Sequence, residues 1–296
     1  MKSVFTVSRI SVFPLRSRHL VSDYFISVIQ YTMALALIVS LVTVAPPGAM
    51  AEDTARSIME KVDARDDGDN MTADVEMILI DKNNHERRRE MKIFSKDKGV
   101  DTLKIQFFLA PADVKDTGFL TVDYYAGEKD DDQWLYLPDL HKTKRIATSD
   151  KSSAFMGSDF SYADMTDRVL DEWTYKLLKE DKIDGDKVWL IQALPASKAV
   201  EDRYGYKKSI LFVRQDIFLM ARAIHVLNEG KKIKYMESKK IEHIDGIWVA
   251  TERWMKTTVN KRTTHRTILN WRDVKFNTPI DEAYFSIRQL EKGFSR

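Results

Sequence analysis

Apolar residues change their spacing near residue 70 and keep the new spacing almost to the C terminus. Before that point Ala55, Ile58, Met59 and Val62 recur at helical intervals behind the acids Glu52 and Asp53. This predicts a short amphipathic helix over residues 54–65. Across residues 73–80 the period is two, and Ala73, Val75, Met77 and Leu79 fall on one face of a strand. A polar turn follows at 81–84, and 89–95 reads as the returning strand. Further strand-like runs, rich in β-branched and aromatic residues, cover 103–109, 119–125, 133–137, 173–178, 188–193, 209–213, 221–227, 232–237, 247–255 and 264–276. Asp184-Gly185, Asn228-Glu229-Gly230 and Asp245-Gly246 between them are hairpin chemistry. Turns come about every fifteen residues in the C-terminal half, which suits long hairpins in a meander. Long helical patterns between strands are lacking, so a parallel α/β sheet is disfavoured. The predicted class is mainly β with helices (α+β), built on antiparallel strands.

Two stretches leave the period of two. Residues 149–168 are rich in Ser, Asp and Gly, with Ser and Asp at cap positions, and read as short helices or ordered loop. Residues 279–293 read as a brief closing helix or turn. No repeat and no linker divides the body, so residues 52–296 are expected to form one domain.

Charge separates the first fifty residues from the rest. Residues 1–51 hold four basic residues (Lys2, Arg9, Arg16, Arg18) against one acid, Asp23, while the whole chain carries 47 Lys+Arg against 45 Asp+Glu. The body is therefore not a polycation, and nucleic acid is not an expected partner. Between Asp23 and Glu52 there is no charge. An apolar heart (residues 33–45) runs into Pro46-Pro47-Gly48, expected to break any helix, and then Ala49-Met50-Ala51. This is the layout of a secretory signal peptide with an extended leader, and it implies a periplasmic location. An uncleaved inner-membrane anchor is the alternative, because 24–44 is uncharged and a span needs about 20 residues.

The search for chemistry returns little. The chain has no Cys, which excludes disulfides, thiolate metal sites and an acylated N-terminal Cys. No nucleophile elbow, P-loop, dinucleotide fingerprint or paired zinc histidine occurs; His85-Glu86 is followed by Arg87-Arg88-Arg89. His141, His225, His243 and His265 are scattered, and Ser152, Ser153 and Ser158 have no local His base. Glu128, Asp130, Asp131 and Asp132 lack calcium-loop spacing and read as a hydrated hairpin tip. The basic pairs Lys207-Lys208, Lys231-Lys232, Lys239-Lys240 and Lys261-Arg262 read as guards against edge pairing. No catalytic residue, metal or cofactor is expected. What stands out is aromatic load: six Trp, with apolar residues on both faces of several strands. A second apolar face implies a cover of its own, from the insert helices, a partner or a ligand.

Phe108-Leu-Ala-Pro-Ala-Asp-Val-Lys-Asp-Thr-Gly-Phe-Leu120 precedes Asp132-Gln-Trp-Leu-Tyr-Leu-Pro-Asp-Leu140, then Lys144-Arg-Ile146 and Ser153-Ala-Phe-Met-Gly-Ser-Asp-Phe160 with Tyr162 and Asp164. In this order the series resembles a bacterial family of outer-membrane lipoprotein-sorting proteins, relatives of the LolA/LolB carriers. The resemblance spans nearly all of the chain after residue 51. It implies an incomplete, LolA-like β-barrel covered by short helices, with an apolar cavity that holds the acyl chains of lipoproteins or other lipids. It further implies a non-enzymatic, monomeric carrier, with an inner-membrane lipid-exporting transporter as a partner. LolB-type receptors are themselves lipoproteins; without Cys this chain resembles the soluble carrier. The residues expected to line the cavity or its lid are Phe107, Phe119, Trp134, Tyr136, Phe155, Met156, Phe160, Trp248 and Trp254. Each acyl CH₂ withdrawn from water is worth about 0.8 kcal/mol, so a long chain needs a sleeve to cross an aqueous compartment. Two other readings stay open: an envelope-stress sensor that binds mislocalised lipoproteins, and a lipid or glycan hydrolase. The leader gives a direct prediction. N-terminal sequencing of protein from its host is expected to begin at Glu52, and recovery of the full chain in membranes would establish the anchor instead.

Overall fold

The computed structural model describes residues 47–125, 129–229 and 231–294, with side chains from residue 54. The expected leader, residues 1–51, lies outside the described residues up to residue 46. Helix α1 (Pro47–Asp63) starts upstream of the predicted position, at the Pro-Gly expected to break it. Proline is tolerated in a first turn, where its missing N–H had no partner to lose. The helix buries Ala55, Ile58 and Met59 in the main core, as its spacing predicts. Among the described residues no helix is long and apolar enough to cross a membrane.

The strands follow in chain order: β1 (Asn70–Asp81), β2 (Glu86–Lys98), β3 (Asp101–Ala110), β4 (Gly118–Asp123), β5 (Asp132–Leu137), β6 (Lys142–Arg145), β7 (Trp173–Ile183) and β8 (Asp186–Pro195). After helix α2 (Lys198–Tyr204) come β9 (Tyr206–Arg214), β10 (Met220–Leu227), β11 (Lys232–Ile244), β12 (Ile247–Val259) and β13 (Arg262–Phe276), and the chain closes with helix α3 (Ile287–Lys292). All thirteen strands form one antiparallel sheet in the order β6-β5-β4-β3-β2-β1-β13-β12-β11-β10-β9-β8-β7. It consists of two meanders joined where β1 pairs β13, with Val75 opposite Trp271 and Met77 opposite Leu269. The sheet is not closed: its edges are β6 and β7, consecutive strands joined by residues 146–172. The basic pairs expected to guard edges lie elsewhere, in or beside interior strands. The edges carry Lys142, Lys144 and Arg145 on β6, and Lys176, Lys179 and Lys182 on β7.

Each face of the sheet has its own cover. The inner face bears the main core, which includes α1, the alternating residues Val75, Met77 and Leu79, and Phe155, Phe160 and Ala163 of the connecting segment. The outer face has a second, smaller core on β3 and β4, where Leu103, Ile105, Phe107 and Leu120 pack against Phe285 and Leu290 of the C-terminal tail. Gly118 makes that close approach workable, because a Cβ there would lie 2.6 Å from the Leu290 Cδ1. The rest of the outer face is charged and aromatic. Glu76 accepts from Arg88, Asn270 and Arg272, and the Trp254 ring has Lys239 and Arg266 at 5.3 and 5.5 Å. Leu290 is wholly buried in the tail contact. Leu290→Ala is expected to cost roughly 2–5 kcal/mol in urea unfolding. An unchanged midpoint would mean that the tail does not hold the outer face.

Candidate lipid cavity

The segment between the two edge strands forms a tight loop over the inner face. Phe155 N–H donates to the Phe160 carbonyl at 2.8 Å, and Ser158 N–H to the Phe155 carbonyl at 2.9 Å. The tip residues Met156 and Gly157 both take left-handed backbone angles, φ 48° and 73°. A Ser161–Asp164 capping box starts the next 3₁₀ turn, Tyr162–Met165, in line with the Ser and Asp cap pattern of the sequence.

Buried polar side chains fasten this loop to the sheet. Asp159 accepts from the Thr257 hydroxyl on β12 at 2.5 Å and from the Thr267 hydroxyl on β13 at 2.7 Å. His265 Nδ1 lies 2.7 Å from its second oxygen. Asp164 accepts from the Tyr206 hydroxyl on β9 and lies 3.9 Å from Lys234 on β11. Burial pushes Asp164 up, but Lys234 and its hydrogen bonds bring it below the usual carboxylate range. Tyr206 stacks on His225 at 4.4 Å; burial and then Arg168 push that imidazole down to about 3, so it stays neutral. On the other side, Arg89 of β2 donates to the Met156 carbonyl at 2.6 Å. Lys151 is almost fully buried and donates to Asp130 at 2.5 Å and to the Asp131 carbonyl at 2.8 Å. Asp132 takes Arg145 and Lys129. Within the acidic run expected to be a hydrated hairpin tip, Asp130 and Asp131 thus anchor the loop through Lys151, while Asp132 ties to β6 through Arg145; Glu128 lies outside the described residues.

Beneath the loop is a cavity of ≈ 280 Å³. Its floor comes from the inner-face alternation of β1, β2 and β13, namely Val75, Met77, Met91, Ile93 and Leu269; Phe119, Phe155 and Phe160 line it from β4 and the loop. The roof is aromatic: Phe155 stands 5.0 Å from Phe119 and 5.6 Å from Tyr162. One end is polar, with Lys104, Asp167 and Arg253. Lys104 donates to Asp167 at 2.9 Å and to Asp123 at 3.3 Å. Burial raises Asp123 to about 7 against the pull of Lys104, and Asp167 adds to the rise. A second, more polar cleft of ≈ 400 Å³ lies on the other side of the loop, against Ser158, Asp159 and Lys234.

The nine residues expected to line the cavity divide between the two faces. Phe119, Phe155 and Phe160 line it, and Met156 packs beside them against the main core. Phe107, Trp134 and Tyr136 belong to the outer core under the tail. Trp254 is the ring between Lys239 and Arg266, and Trp248 is 38% exposed beside His243. These five do not line the cavity. The methionines of the floor, Met77 and Met91, were not among the expected residues, although Met77 shares the face that the alternation of β1 marks out.

Comparison with known proteins agrees with this architecture. A family model described as an uncharacterized protein matches residues 100–292. A DUF1329 family protein from Desulfovibrio piger is 27% identical, covers 81% of this chain and 99% of its own, and superposes with a TM-score of 0.75. A domain from Vibrio parahaemolyticus, described as an outer membrane lipoprotein-sorting protein, is 28% identical, with 81% and 99% covered and a TM-score of 0.73. A LolA superfamily protein from Nitrosomonas europaea, 19% identical over 79% of this chain and 98% of its own, shares the fold with a TM-score of 0.60. Among curated proteins, none matches the sequence. The chain belongs to the family whose model matches residues 100–292; the DUF1329 family fits it, and it shares the LolA-like fold of these neighbours.

Proposed function

We propose that this chain is a soluble periplasmic carrier. It takes lipoprotein acyl chains or other lipids into the cavity under the Phe155–Phe160 loop and passes them towards the outer membrane or a lipid transporter. The observation that carries the reading is the cavity itself, an apolar floor roofed by a short polar-anchored loop. In this reading the open sheet is an incomplete barrel and the 3₁₀ turns with α1 are its covers. The transfer is non-covalent: the driving force is removal of acyl CH₂ groups from water, about 0.8 kcal/mol each. At ≈ 280 Å³ the cavity stands at the small end of ligand pockets, which run about 300–1,000 Å³. Larger cargo therefore requires the loop to move. The loop is held by hydrogen bonds to charged groups, each worth about 1.5–3 kcal/mol net once water replaces the partner, so burial of the cargo has to supply the energy of that step.

Two measurements test the proposal. Met91 is buried on the cavity floor. Met91→Trp is expected to fill the space and weaken a fluorescent acyl probe by about tenfold or more, roughly 1.4 kcal/mol, in a protein that still folds. Undiminished binding by the folded variant overturns the cavity as the site. Phe155→Ala addresses the lid. If Phe155 were fixed core, its truncation would cost roughly 3–5 kcal/mol. As a movable cover it is expected to cost clearly less in the empty protein while the probe dissociates faster. Urea unfolding and stopped-flow release give both numbers, and a full core penalty with unchanged release contradicts a movable cover.

A further inference from the structure

Arg253 is a cation of the cavity wall whose side chain makes no hydrogen bond or ion pair among the described residues; the Asp167 carboxylate acts on it only from beyond ion-pair distance. It sits on the inner face of β12, opposite Leu269 of β13 in the ladder. Its guanidinium carbon lies 5.7 Å from the centre of the Trp271 ring, which also lines the cavity. Its Nε–H is buried with no hydrogen-bond partner among the described residues. The other lining charges are committed: Asp167 to Lys104 at 2.9 Å, and Asp164 to Tyr206 and Ser161. Arg65 nearby adds a second positive charge, its Nη1 donating to the carbonyls of Asp66 and Trp248. A guanidinium stays charged under all ordinary conditions, and a buried donor left without an acceptor is costly. Its fork of donors matches the two oxygens of a carboxylate or phosphate. The apolar floor and this cation together describe an amphiphile with its chain over the methionines and an anionic group at the β12–β13 end.

We propose that Arg253 is the head-group subsite of the cavity and selects acyl chains that carry a carboxylate or phosphate over neutral ones of the same length. The proposal rests on the carrier reading and narrows its ligand class. Trp271 keeps the guanidinium plane in place, and Lys104 with Asp167 stands at the same polar end.

The test compares three probes of one chain length: a fatty acid, a lysophosphatidic acid and a fatty alcohol. They are measured by displacement of a fluorescent acyl reporter from the wild-type protein, Arg253→Gln and Arg253→Lys. The wild type is expected to hold the two anionic probes about tenfold or more tighter than the alcohol, the range of a charge-assisted hydrogen bond. Arg253→Gln is expected to lose that preference while keeping its affinity for the alcohol, and Arg253→Lys to keep part of it. Millimolar inorganic phosphate alone is expected to displace nothing, because the chain supplies most of the affinity; displacement by phosphate would make the site an anion site independent of lipid and overturn the proposal. Equal affinity for all three probes in the wild type, a measurement that needs no variant to fold, also overturns it but leaves the carrier intact. If none of the probes binds, the carrier reading fails and the subsite with it.

Discussion

The two edges of the sheet are neighbours in sequence, and most of the architecture follows from that. Because β1 pairs β13, the first and last strands lie in the middle, and the meanders run outwards to β6 on one side and β7 on the other. The chain must then return from one edge to the other in residues 146–172, and it does so over the inner face. The crossing segment cannot pair as a strand in this sheet, so its backbone groups are satisfied by tight 3₁₀ turns and side-chain caps. Its apolar residues have one place to go, onto the inner face, which is how Phe155 and Phe160 come to roof a cavity. An edge-to-edge connection is thereby also a cover.

The outer face poses the same problem without such a connection. Strand β3 turns Leu103, Ile105 and Phe107 outwards, and an apolar face of that kind needs shielding from water. The C-terminal tail supplies the shield over β3 and β4, with Gly118 leaving room for Leu290. Beyond its reach the outer residues of β11 to β13 are a ladder of Lys, Arg, Glu and aromatic rings. Cations stacked over Trp254 and Tyr235 cover apolar ring surface with long side-chain stems while their charges stay in water.

This two-sidedness decides how far the sequence could be read. The period of two located nearly every strand, and Asp184-Gly185 and Asp245-Gly246 turn with positive φ as hairpin chemistry requires. Strand β6 escaped because it is four polar residues, Lys142-Thr-Lys-Arg145, whose pairing is imposed by its hairpin with β5 and not by burial. Helix α2 escaped because seven residues hold too little periodicity, though Ser197 caps it and Gly205 ends it. The site was harder for a different reason. Alternation says which residues share a face but not which face is inner, and where both faces are apolar the bulkiest rings mislead. Phe107 and Trp134 thus looked like cavity residues and belong to the outer core, while the flexible Met77 and Met91 of the floor look like ordinary packing.

The polar residues of the crossing loop fix where it sits. Asp159 and Asp164 reach four strands of the sheet through Thr257, His265, Thr267, Tyr206 and Lys234. Buried carboxylates cost desolvation, and their partners return that cost only while the geometry is kept. In the proposed opening of the loop the carboxylates and their partners would be rehydrated, so the polar anchors define one closed position sharply while water offsets part of their loss. Apolar contacts do the opposite: the rings of Phe155 and Phe160 lose their burial on lifting unless something else covers the floor. An acyl chain is such a cover. In the proposed carrier, the closed loop and a bound chain would therefore compete for the same apolar surface, and that competition would give loading and release a physical basis without any chemical step.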